Sequence, residues 1–291
     1  MSAAALFHVV VSGLATGSIY ALVAISLVII YDATRTVNFA QGEMFMVSTF
    51  AAWSAVRAGW PLAAALVLAL VVAGLLALVI ERLIIRRAIS STHWDVLIIT
   101  LGLSLMLRSG AGLVWSNDEF PFPSYFGNRP IAIGPARLAP VSLGIIGASL
   151  ALMVALYALL KLTRAGRAMR AVAQNQNAAR LMGISVPRTY SAAWVLASVV
   201  GAIAGVLIAP VTFLSTKMGL VAINGFIAAV LGGFGSLPGA VVGGMLLGLI
   251  ENLAPLYLPS GIRYSVPFLL LILILLVRPS GLLGQARRRK V

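Results

Sequence analysis

The chain has only seven acidic residues in 291, and two of them, Glu43 and Glu251, lie in stretches otherwise suited to hydrocarbon. Glu43 follows Asn38 and Gln41 and stands next to Gly42. Glu251 precedes Asn252 and closes the Gly-rich run that starts at Pro238, while Asn224 and Gly225 open the segment before it. A charge at mid-bilayer costs about 2.5–3.5 kcal/mol on insertion scales, so a retained one has a use. One use is non-covalent: the segments from Asn38 and from Asn224 are paired, discontinuous elements lining a solute pathway, as short Gly-interrupted segments in the two halves of a transporter commonly are. The other is local, with each acid capping or pairing near an interface, Glu251 with Arg263 for example. Covalent chemistry has no candidates. There is no Cys, and His8 and His93 are the only histidines, which excludes disulfides, thiolate metal sites and a cysteine nucleophile and leaves no basis for a His-built metal site or a membrane enzyme.

A second constellation is basic. From Leu162 to Arg188 the chain reads as a polar island carrying, with Lys161 before it, Arg164, Arg167, Arg170, Arg180 and Arg188 and no acid. The charge-free runs on either side, 139–160 and 189–216, are each long enough to cross a bilayer, and the positive-inside bias puts the island in the cytoplasm. Arg167, Arg170, Gln174 and Asn177 recur at helical spacing and form one polar face, with Met169, Val172, Ala179 and Met182 close to another. Gly183 suits a helix C-cap, and Pro187 stops continuation. Two short amphipathic helices of this kind either dock into a groove on another protein or lie on anionic lipid. Periodicity alone leaves both open.

The elements that must carry these groups are membrane spans. The chain is 61% hydrophobic and 10% charged, with a mean hydropathy of +1.05, whereas soluble domains run near a quarter charged. Spans of about 20 apolar residues are expected at 5–30, 38–56 (less regular), 61–80, 96–115, 141–160, 190–210, 220–234, 238–257 and 262–277. The uncharged stretch 218–250 would be about 50 Å long as one helix, too long for one crossing, so a break is expected at Gly232–Gly239. The first span is expected to be retained rather than cleaved as a signal peptide, because the N-terminus lacks a basic n-region. Arg35, Arg82, Arg86, Arg87, the six island residues, Arg278 and the tail 287–290 fall on the cytoplasmic side in this topology. Arg57, Arg129, Arg137, Lys217 and Arg263 fall outside, and Arg108 is expected to snorkel from an external helix end. The net charge of +14 therefore reflects contact with membrane lipid or a cytoplasmic partner and not nucleic acid. Trp53, Trp60, Trp94 and Trp115 read as interfacial anchors, and Gly244 and Gly248 as a helix-packing pair.

Residues 177–183, Asn-Ala-Ala-Arg-Leu-Met-Gly, resemble the Glu-Ala-Ala-x-x-x-Gly loop of ABC importer permeases, with Asn177 in the Glu position. The blocks GSIYAL from Gly17, VNFAQGE from Val37, RAGRAMRA from Arg164, LGGFGSLPGA from Leu231 and RPSGLLG from Arg278 resemble, in family order, those of branched-chain amino acid permeases of the LivH type. The resemblance implies an all-α polytopic transmembrane helix bundle of about eight to nine spans, residues 1–291 forming a single permease domain. It implies that 161–189 is a cytoplasmic coupling loop in which Gly166, Arg167, Arg170, Asn177, Ala178, Ala179 and Gly183 meet an ATPase, and that 116–140 is an external loop. Asn38, Gln41, Glu43, Asn224 and Glu251 are then the pathway candidates. It further implies a bacterial or archaeal cytoplasmic (inner) membrane location. The implied partners are a second, LivM-type permease, two ABC ATPase subunits and an extracytoplasmic solute-binding protein. No Walker A pattern occurs here, so this chain is expected to bind no cofactor and to be no enzyme, ATP and Mg being used by the partner ATPases. The Pro- and aromatic-rich loop 116–140 either caps the bundle or meets the extracytoplasmic partner. Two alternatives are kept: the same family carrying urea or short amides, since no residue separates leucine from urea, and a secondary transporter driven by an ion gradient, for which Glu43 and Glu251 are the only coupling acids.

Overall fold

The computed structural model describes residues 3–88, 93–127, 129–133, 136–259 and 265–284, with backbone alone at 3–4, 93, 132–133 and 136–137. The expectations placed on Arg263, on the tail 287–290 and on the Arg137 side chain lie outside these. Eleven main helices carry the chain: α1 (Ala3–Thr34), α2 (Gln41–Arg57), α3 (Leu62–Ile80), α4 (His93–Trp115), α5 (Pro140–Leu162), α6 (Arg164–Gln174), α7 (Gln176–Leu181), α8 (Val186–Thr212), α9 (Val221–Gly232), α10 (Leu237–Leu253) and α11 (Val266–Val277). Apart from one antiparallel hairpin, β1 (Ile131–Ile133) with β2 (Ala136–Leu138), the described elements are helical. Among the described residues six helices are long and apolar enough to cross a membrane, and 218–232 and 266–277 are shorter apolar ones. The expected break falls where the glycines are: α9 ends at Gly232 and α10 starts at Leu237, capped by the Ser236 hydroxyl accepting from Gly239 N.

The chain divides into two compact units, one of residues 1–28, 126–149 and 223–291, the other of 29–125 and 150–222. In the second unit α2, α3 and α8 pack on one another. Helix α3 presents a ladder of Ala65, Ala69, Ala73 and Ala77, all fully buried, and turns Val67, Val71, Leu75 and Val79 outward. Lipid is as apolar as these side chains, so helices associate by close van der Waals approach, and a stripe of small residues permits it. Helix α2 differs from the span expected at 38–56. Its 17 residues are covered nearly all round, including Gln41, Glu43, Ser48 and Thr49. Polar side chains in a membrane turn toward protein, and Ser48 and Thr49 return their hydroxyls to the Phe45 carbonyl at 2.8 and 2.7 Å. Two of the four expected tryptophan anchors also point inward. Trp115 stacks on Phe50 at 5.1 Å and donates to Ser54 Oγ, and Trp53 lies 4.5 Å from Phe120 and donates to the Pro121 carbonyl. Trp60 and Trp94 are exposed. Beside this cluster burial pushes the Tyr125 hydroxyl up to about 12, so it stays a donor toward the Leu62 carbonyl.

In the first unit, α10 lies backbone to backbone with the middle of α1. Gly244 faces Ala21, and Gly248 faces Gly17 and Gly13. The segment after α11 adds two backbone hydrogen bonds to the end of α9, Leu282 N to Leu231 O and Leu283 N to Gly232 O, so the RPSGLLG block sits on the LGGFGSLPGA block.

Candidate functional site

Of the pathway candidates, Glu43 carries the largest electrostatic demand. Its side chain is 3% exposed, and it is met by Arg108, whose Nη2 lies 2.5 Å from Oε1. The outward snorkelling expected for Arg108 is therefore corrected. A buried carboxylate with no counter-charge costs more than turning one long side chain inward, and α4 packs on α2 so that Arg108 can reach. The pair is not saturated: Arg108 Nε is buried with no hydrogen-bond partner among the described residues, and its side chain is 35% exposed. Gly219 leaves the carboxylate its space, since a methyl there would stand 2.8 Å from Oε1. Arg57 closes α2 on the side expected to be external, and Glu43 is 14 residues before it, roughly 21 Å deeper along the helix.

Asn38 and Gln41 come together but serve the backbone. Asn38 Oδ1 accepts from Ala40 N at 3.0 Å, Asn38 Nδ2 donates to Gln41 Oε1, and Gln41 Nε2 donates to the Ala197 carbonyl of α8 at 3.1 Å. These bonds order the entry into α2 and tie it to α8. In the first unit Asn224 and Glu251 are joined by a residue that sequence reasoning passed over. Asn224 Nδ2 donates to the Tyr20 hydroxyl at 2.9 Å, and Tyr20 donates to Glu251 Oε2 at 2.8 Å. Tyr20 was visible only as part of the GSIYAL block. A lone tyrosine in an apolar helix carries no spacing signal for a partner more than two hundred residues away. Tyr20→Phe removes both bonds and leaves Glu251 without this donor. We expect a loss of about 1–3 kcal/mol, read as a lower midpoint of thermal unfolding in detergent, with Glu251→Gln costing less because the amide oxygen still accepts.

The basic island folds as two helices at a sharp corner. Thr163 caps α6 by accepting from Gly166 N, and Asn175 caps α7 by accepting from Asn177 N and Ala178 N. Asn175 is extended, so the single polar face expected from Arg167 to Asn177 is broken there: Asn177 belongs to the next helix. Gly166 sits against the Leu160 carbonyl, where no side chain fits. Arg170 donates to the carbonyls of Leu160 and Lys161 and Arg167 to that of Leu162. These guanidinium groups satisfy the last carbonyls of α5 and complement its negative end. Of the residues expected on the second face, Met169, Val172 and Ala179 are buried against the protein, whereas Met182, with Leu181 beside it, is exposed, at 82% and 89%, at the tip of α7. Asn177 and Ala178 are exposed on the same short helix. Gly183 ends it at φ +77, with Ile184 N donating to Ala179 O and Gly183 N to Arg180 O, the paired bonds of a Schellman cap. The result is an exposed apolar tip, with the exposed Arg180 on the same short helix, after a corner capped by Asn175.

The match to known proteins runs nearly end to end. Residues 9–277 match the family described as "Branched-chain amino acid transport system / permease component". The chain belongs to this family. It is 34% identical to the high-affinity branched-chain amino acid transport system permease protein LivH of Escherichia coli strain K12, over 96% of both chains. It is 31% identical to the permease protein BraD of the corresponding system in Pseudomonas aeruginosa, over 97% of this chain and 96% of the relative. A more distant relative, 28% identical over 88% of this chain and 74% of the relative, is the autoinducer 2 import system permease protein LsrC of an Enterobacter. The chain is thus a LivH-type ABC permease, a polytopic membrane transport subunit.

Proposed function

We propose that this LivH-type permease is one half of the membrane channel of an ATP-driven importer of branched-chain amino acids or a similar small solute in the cytoplasmic membrane. The observation that carries the reading is the family match over 9–277 together with 34% identity to a LivH permease across 96% of the chain. The chain works with a second, LivM-type permease, two ABC ATPase subunits that hold ATP and Mg, and an extracytoplasmic solute-binding protein facing the 116–140 loop. In this reading the covered helix α2 and the short helices α9 and α11 also lie in the membrane beside the six long ones. Glu43 with Arg108, and separately Asn224 with Tyr20 and Glu251, are the polar groups that each unit by itself offers to solute. That LsrC carries a different solute on its name fits a division of labour in which the binding protein selects and the permease passes.

The exposed tip of α7, Leu181 and Met182, with the exposed Arg180 and Arg188 near it in sequence, is the surface offered to an ATPase groove. Closure of the ATPases tilts the helices behind it as rigid bodies and exposes the pathway to the other side. Purification of the solubilised chain from its native membranes tests the reading: a second permease and ATPase subunits co-purify, whereas a homo-oligomer without an ATPase supports the ion-driven alternative. Gly183→Trp places a large side chain where nothing lies within 4 Å, so the protein still inserts. It obstructs the docking tip and strains a left-handed position, and we expect ATP-driven uptake to fall at least tenfold with membrane content unchanged.

A further inference from the structure

A buried charge cluster that sequence reading missed lies at the inner end of α3. The helix does not stop at Ile80 but continues as a π-helical stretch, Glu81–Ile85, and then Arg86–Ala88. Such wide turns are uncommon and occur frequently at functional sites. The stretch brings Glu81 and Arg86, five residues apart, into a bidentate pair: Arg86 Nε donates to Oε1 at 3.0 Å and Nη2 to Oε2 at 2.9 Å. Glu81 is 1% exposed, and its Oε2 also accepts from the Ser191 hydroxyl at 2.7 Å. Arg86 Nη2 reaches Ser191 Oγ at 2.8 Å and the Pro187 carbonyl at 3.2 Å. Ser191 and Pro187 belong to the first turns of α8, which begins three residues after the Gly183 cap.

We propose that Glu81, Arg86 and Ser191 form a clasp that transmits displacement of the 161–189 loop to the helices holding the Glu43–Arg108 pair; the proposal rests on the importer reading above. Any push on the α7 tip arrives at the start of α8, because only Gly183, Ile184 and Ser185 separate that helix from Met182. Without the clasp the first turns of α8 are held to α3 by packing alone. With it they are bonded to the end of α3, whose alanine ladder meshes with α2 and α8 along its length. Two further ties point the same way. Arg35, in the left-handed conformation at φ 59 after α1, donates to the Ala173 carbonyl at the end of α6, and Arg170 holds α6 to α5. Guanidinium groups on carbonyl or carboxylate oxygens anchor the loop, and the clasp adds an ionic tie from the start of α8 to the end of α3 beside the direct packing of α6 and α7 on α8. These are positioning residues; none of them touches solute or nucleotide.

The absence of cysteine makes a direct test possible. A single reporter, Val47→Cys on the partly exposed side of α2, is introduced into the chain within the complete transporter. Its labelling rate by a membrane-impermeant maleimide is compared without nucleotide and with ATP trapped by vanadate. With the clasp intact the two rates differ at least threefold. With Glu81→Ala they become equal while the ATPase stays vanadate-sensitive, and the milder Ser191→Ala, which keeps the ion pair, lies between. A rate ratio unchanged in both variants overturns the clasp, as does an intact protein whose α2 reporter ignores nucleotide. A preparation that contains no ATPase overturns the importer reading instead.

Discussion

Removing the Glu43 carboxylate alone should damage the protein more than removing Glu43 and Arg108 together. Glu43→Ala leaves the guanidinium of Arg108 against apolar helix surface with its Nε already unpartnered, and Arg108→Ala leaves a carboxylate that is 3% exposed with no counter-charge. Breaking one side of a buried pair costs about 3–5 kcal/mol, and replacing both sides is often close to neutral. Glu43 is 3% exposed and Arg108 35%, so Arg108→Ala, which strands the more buried charge, should be the worse single change. The double variant should recover at least half of that loss. Thermal unfolding of the four proteins in detergent closes the cycle; additive losses would mean that the 2.5 Å contact carries no coupling. Uptake in the same set separates structure from transport. A double variant that unfolds like wild type yet transports at least tenfold less assigns the pair to the pathway. One that transports normally assigns it to packing.

That pair also marks how far the sequence could be read. The membrane class, the break at Gly232–Gly239 and the Gly183 cap follow from hydropathy, helix length and local backbone preference, each of which acts over a few neighbouring residues. Arg108 and Glu81 do not. A lone arginine on an apolar helix is equally able to snorkel or to pair, and the choice belongs to a carboxylate 65 residues away. Glu81 and Arg86 stand at a spacing that faces nothing on an ordinary helix, and only the π-helical turn makes them partners. Tyr20 is the same case over a longer range. The misread part of the island has a different origin: two short helices were expected, but the run of spacings put Asn177 on the same face as Arg167, and Asn175, a strong N-cap, starts the second helix before it. Long-range polar pairing and helix restarts are where periodicity loses its information.

The seam between α1 and α10 should be the least forgiving place in the first unit. A Cβ on Gly248 would stand 2.2 Å from Gly17 N, 2.3 Å from Gly17 Cα and 2.7 Å from Gly13 O, all backbone atoms that no rotamer change can move aside. Gly244 repeats the situation one turn earlier, at 2.4 Å from Ala21 N. To admit even a methyl group the two helices must part by about 1 Å over this contact, and overpacking of this kind costs about 1–3 kcal/mol or more before lost contacts are counted. The loss spreads, because small-residue seams draw their stability from close approach along the whole crossing. We therefore expect Gly248→Ala to leave less than a tenth of the wild-type yield of monodisperse protein after detergent extraction, and Gly248→Val to leave none. Gly102→Ala in α4, where nothing lies within 4 Å of the new methyl, should equal the wild type or exceed its stability by about 0.5–1 kcal/mol, because alanine is the better helix former. If both alanine variants behave alike, helix propensity outweighs the seam. If only Gly248→Ala collapses, the backbone contact between α1 and α10 is what Gly244 and Gly248 are for.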